Sequence, residues 1–146
     1  MSVVVGVDGS AACLSAIRVA AQEAHFRHTE LIAVMAYSGD RAVHDAEGQP
    51  VGTVVRGGDE RALALSSLRR VVSAALDAGQ AERVQLRVVA GTAGRQILET
   101  AREARAQLIV LATRGSVSLL LGTVSQYVLR RATCPVLVVP QVGPAT

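Results

Sequence analysis

Neither lysine nor asparagine occurs in the 146 residues, so all fifteen basic residues are arginines. That absence excludes a Schiff-base lysine, a lysine general base and a Walker P-loop, whose lysine meets the phosphates. Aromatic residues are nearly as scarce: Phe26, Tyr37 and Tyr127 are the whole set. Three rings and a net charge of +3 make a poor surface for stacking single-stranded bases, so no nucleic acid partner is expected. The two cysteines, Cys13 and Cys134, lie far apart without a C-x-x-C unit and read as structural thiols. Half the residues are apolar, yet no run approaches the roughly 18 that cross a membrane. The first residues show neither the basic start nor the small-residue cleavage site of a secretory leader. A soluble cytoplasmic protein with no membrane partner is the expectation.

What is present is an alternation. Val3–Asp8, Leu31–Tyr37, Val84–Val88, Leu108–Ala112 and Val136–Val139 are short apolar or β-branched runs, as expected for strands covered on both faces. Between them apolar residues recur at helical spacing: Leu14, Ile17 and Ala21 after an N-cap at Ser10; Leu65, Leu68, Val72 and Leu76 between a cap at Asp59 and a stop at Gly79; Ile97, Leu98 and Ala101; and Val124, Val128 and Leu129 after Gly122 and Thr123. Residues 38–58 show no period and read as a long loop. Five βα-type alternations predict an α/β fold: one doubly wound domain over 1–141, a parallel sheet with helices on both faces, and a frayed tail at 142–146. In such a sheet ligands sit outside the carboxyl ends of the strands, where the winding reverses.

Two segments fall there. Asp8, Gly9 and Ser10 follow the first strand; Asp8 either meets a ribose hydroxyl or metal-bound water, or closes an Asx turn with Gly9 and Ser10. Gly122 and Thr123 open a helix, where free amides and the helix dipole favour a phosphate, or simply an ordinary N-cap. Arg114 sits in the loop between, placed to fork onto a phosphate or to face solvent. No dinucleotide fingerprint is present, because Asp8 stands where a pyrophosphate needs bare backbone. His25 and His28 lack further ligands for a metal. Arg69, Arg70, Arg130 and Arg131 suit helix ends and solvent. Apart from Asp8 no general base can be placed near either loop, so an enzyme is not expected, although slow ATP hydrolysis is compatible with the residues.

Residues 4–10 (VVGVDGS), 108–115 (LIVLATRG), 119–125 (LLLGTVS) and 128–140 (VLRRATCPVLVVP) together resemble the universal stress protein family along the whole chain. The resemblance implies a five-stranded parallel sheet in the order 3-2-1-4-5 and, in many members, ATP bound through G-x2-G-x9-G-[S/T] after the fourth strand. Another branch lacks that pattern and binds no nucleotide. By position Asp8 resembles the acid near ribose and magnesium, with Gly9 and Ser10 beside it, and Val34 the second-strand residue whose backbone meets adenine. Gly91 is kept. Gly115 resembles the second glycine of the pattern, and Gly122 and Thr123, followed by Val124, its phosphate-binding end. Two departures stand out: Ala112 replaces the first glycine, and six residues instead of nine separate Gly115 from Gly122. Three missing residues shorten the reach of the loop by about 10 Å. The implied function is a regulatory module binding ATP, a smaller adenine nucleotide, or, with a degraded loop, none. Asp8 would meet magnesium only through the nucleotide. The resemblance also implies a homodimer through the strand Val136–Val139, an apolar edge that otherwise invites aggregation.

Overall fold

The computed structural model describes residues 1–38, 40–44, 46, 50–55, 57–113 and 122–140. The elements run β1 (Ser2–Gly6), α1 (Cys13–Phe26), β2 (Glu30–Tyr37), β3 (Asp40–His44), β4 (Pro50–Val55), α2 (Gly57–Ala75), α3 (Ala78–Glu82), β5 (Gln85–Ala90), α4 (Ala93–Glu103), β6 (Ala106–Ala112), α5 (Thr123–Arg131) and β7 (Val136–Val139). The main sheet has the order β5-β2-β1-β6-β7, and every pairing in it is parallel. Counting its own five strands, this is the order 3-2-1-4-5.

Strand periodicity divides the core into two layers. Val3, Val5 and Val7 point with Leu31, Ala33, Met35, Leu108 and Val110 toward α1 and α2, where Ile17 and Leu68 are fully buried. Val4, Ile32, Val34, Ile109 and Leu111 point the other way, onto Ile97 and Ala101 of α4 and Val128 of α5. Each fully buried aliphatic side chain contributes about 1.5–3 kcal/mol. Because β1 is covered on both faces, it reads as an unbroken apolar run rather than an alternating one.

Four local expectations change. The stretch 38–58 is not simply a loop: β3 and β4 pair antiparallel from Asp40↔Val55 to His44↔Pro50. Its run Thr53-Val54-Val55 has β propensity that outweighs the surrounding glycines, and Pro50 opens a strand, a position where its missing N–H is tolerated. Helix α1 starts at Cys13, not after Ser10, because the Asp8 side chain engages the Ser10 amide and a turn precedes the helix. Helix α2 starts at Gly57, two residues before Asp59. It ends at Ala75, and α3 begins afresh behind Asp77, so Gly79 lies inside a helix. Asp77 accepts from the Gln80 amide at 2.7 Å while the Gln80 side chain accepts from the Asp77 amide at 3.3 Å; this reciprocal cap satisfies two donors and makes the break. The tail 142–146 lies outside the described residues.

The strand Val136–Val139 is an edge of the sheet. It pairs with β6 on one side, and Leu137 is 37% exposed.

Candidate functional site

At the carboxyl ends of β1 and β6 the chain leaves in opposite directions: α1 covers one face of the sheet and α4 and α5 the other. The two ends therefore part, and a cleft of about 490 Å³ opens between them, the crevice expected at a reversal of winding. Its floor is Gly6, Val7, Leu111 and Ala112; Asp8, Ser10, Ala12 and Cys13 form one wall, and Ala93, Ile97 and Gly122–Ser125 the other. Gly6 is needed here, since a Cβ would lie 2.6 Å from Ile97 Cδ1 and 3.0 Å from Leu111 Cδ2.

Three helices direct their amino ends at this space. Gly122 is the N-cap of α5, in extended conformation (φ −63°, ψ 167°) and without a side-chain cap bond. The first bond of that helix runs from the Gln126 amide to the Gly122 carbonyl at 3.0 Å. The amides of Thr123, Val124 and Ser125 thus precede the intrahelical ladder, at the positive end of the dipole. Among the described residues nothing lies within 4 Å of a Cβ built on Gly122. Thr92 caps α4 without a side-chain bond, leaving the amide of Ala93 in the same position. Helix α1 opens with tight turns, Cys13 N–H to Ser10 O and Leu14 N–H to Ala11 O, both 3.2 Å.

Asp8 is the one carboxylate among the described lining residues. Its Oδ1 accepts from the Ser10 amide at 2.9 Å, the Ser10 hydroxyl at 2.6 Å and the Cys13 thiol at 3.0 Å, so the Asx turn forms while the carboxylate still faces the cleft. Gly9 makes the turn feasible with φ +84°, a conformation costly for residues with a side chain. Burial pushes the Cys13 thiol above its ordinary value of 9.0, and the bond to Asp8 and its negative charge add to the rise.

Asp8, Ser10, Ala112, Gly122, Thr123 and Val124 are brought together in the cleft. The Val34 side chain is 1% exposed in the core and does not line the cleft, while its backbone adjoins the floor: it pairs with Gly6, and its carbonyl accepts the Val7 amide at 2.8 Å. Gly91 closes β5 at φ +134°, donating its amide to Tyr37 O at 2.9 Å, with β2 between it and the strands of the cleft. Arg114 and Gly115 lie outside the described residues. Sequence reasoning missed Cys13, Ser125 and Ile97 as lining residues; the five-residue step from Asp8 to Cys13 was the available signal for the first. Among the described residues no group of three His, Cys, Asp or Glu gathers that could hold a metal, His25 and His28 included.

A parallel sheet wound in both directions, with a crevice at its switch point, defines a doubly wound α/β protein. The universal stress protein family profile matches residues 1–140. The chain belongs to the universal stress protein family. Among solved structures it is similar to a universal stress protein in complex with cAMP, at 28% identity over 97% of this chain and 98% of that one, with a TM-score of 0.67. A universal stress protein family member from Burkholderia pseudomallei shares 26% identity over 95% and 96% of the two chains, with a TM-score of 0.62. A universal stress protein from Archaeoglobus fulgidus in complex with dAMP shares 20% over 94% and 96%, with a TM-score of 0.57, a likeness of fold. None of the curated proteins compared with the sequence matches it. No described helix is long and apolar enough to cross a membrane.

Proposed function

We propose that this chain is a regulatory module that binds an adenine nucleotide in the cleft between β1 and β6 and does not turn it over efficiently. The observation that carries the reading is the convergence of helix amino ends on one side of that cleft with the Asp8 carboxylate on the other. Amides and dipole suit a phosphate, and a fixed carboxylate suits sugar hydroxyls. The volume of about 490 Å³ lies within the roughly 300–1,000 Å³ of small-molecule sites. The relative bound to cAMP supports adenine as the base. The helix amino ends supply backbone donors for phosphate charge, and the chain has no lysine to add to them. The loop shortened by three residues favours a ligand with fewer phosphates than ATP. Asp8, whose Oδ1 already accepts from Ser10 and Cys13, is a poor candidate for a general base, which supports binding without efficient catalysis.

A second reading, a nucleotide-free dimeric interaction protein, draws on Ala112 in place of the family's first glycine and on the apolar edge strand β7. Pairing of β7 with a second copy would cover Leu137 and the open edge. Calorimetric titration with Mg-ATP and with AMP separates the two readings. Saturable heat is expected, stronger with AMP; absence of heat and of any thermal shift with both would leave the interaction protein as the function.

A further inference from the structure

Cys13 lies in the wall of the cleft, 3% exposed, as the first residue of α1. Its sulfur engages Asp8 at two atoms: the Asp8 amide donates to Sγ at 3.4 Å, and the thiol donates to Oδ1 at 3.0 Å. The two Ser10 bonds to the same oxygen are local, spanning two residues. The thiol bond is different, because it ties the carboxylate to the body of a helix packed on the sheet.

We infer that Cys13 is a positioning residue, whose thiol holds the Asp8 carboxylate in the orientation that meets the sugar hydroxyls of the nucleotide. The inference rests on the nucleotide reading of the cleft. A thiol suits the place for three reasons. It is small enough for the tight start of α1. It is a donor, as a carboxylate oxygen requires. Burial and the neighbouring carboxylate keep it protonated near neutral pH, which maintains the bond and argues against a reactive, thiolate-type cysteine. Alanine here would remove that tie and keep the two bonds from Ser10. Serine would restore a donor at the same position, on a shorter bond to Cβ.

The test compares AMP with 2′,3′-dideoxy-AMP by calorimetry on wild type, Cys13→Ala and Cys13→Ser. Wild type is expected to prefer AMP. Cys13→Ala should weaken AMP about fivefold, the worth of one modest hydrogen bond, and leave the dideoxy ligand unchanged, while Cys13→Ser keeps most of the preference. Equal loss for both ligands would reduce Cys13 to a packing residue, and no loss for either would also overturn the inference. Wild type binding neither ligand would overturn the nucleotide reading and this inference with it, whereas AMP binding indifferent to Cys13→Ala overturns the inference alone.

Discussion

Two concavities lie at opposite ends of the sheet, and the larger one is the less suited to an anion. The groove at the amino ends of the strands has about 1540 Å³ against about 490 Å³ for the carboxyl-end cleft. It is bordered by the last residues of α1 (His25, Phe26), by Arg27 and His28 after them, by Ala75 and Leu76 at the end of α2, and by Arg83 after α3. These are helix carboxyl ends, where carbonyls and the negative pole of the dipole face out; arginine and histidine there complement the helix itself. The smaller cleft receives helix amino ends, whose donors have no partner in their own helix. Backbone polarity, which follows from the direction of winding, separates the two ends more sharply than volume does.

The largest effect should come from removing that polarity. Gly122→Val places a side chain where no described atom stands, in front of the α5 amides. AMP affinity should fall about ten- to a hundredfold, the value of one charge-assisted hydrogen bond or more. The fold should lose only about 1 kcal/mol through a poorer N-cap, measured by urea unfolding. Arg83→Glu at the other end should leave AMP affinity within about twofold; a large loss there would place the ligand in the wrong groove and break the comparison. Next is Gly6→Val. Its Cβ meets Ile97 and Leu111, both buried beside the cleft, so overpacking should cost about 1–3 kcal/mol in urea unfolding. The smallest effect is the alkaline one. The folded Cys13 thiol ionises above 9.0, so its stabilising share is intact below that pH. It is lost as pH rises, because the unfolded chain releases the proton first. Wild type should therefore lose stability more steeply above pH 9.0 than Cys13→Ser; parallel curves would mean that burial does not perturb the thiol.

Much of the fold was legible in the chain. Continuous runs such as Val3–Val7 and Leu108–Ala112 announce strands buried on both faces, and their alternation with helical stripes leaves few topologies. The ribbon of β3 and β4 was missed because Gly52 and Pro50 mask a short Thr-Val-Val run, and only the cross-strand partner shows that it pairs. The break at Asp77 was missed because an aspartate three residues before a glutamine looks like ordinary helix surface until the two side chains cap each other. The site was half legible. Asp8 and the Gly122–Ser125 start are marked by residue type and place, whereas Val34 and Gly91 are carried over from the family and are not among the described residues that line the cleft.

By itself the sequence determined the class: hydrophobic periodicity is a local property, so strands, helices and their parallel winding can be counted from it, and the missing lysine can be seen at once. Only the tertiary structure decided which helix ends converge, that β1 and β6 part to form a cleft, and that a buried cysteine grips the aspartate of that cleft. The first two are relations between residues up to more than a hundred positions apart, set by how side chains pack across the sheet, and no local pattern encodes them; the third spans five residues and is set by the turn that precedes α1.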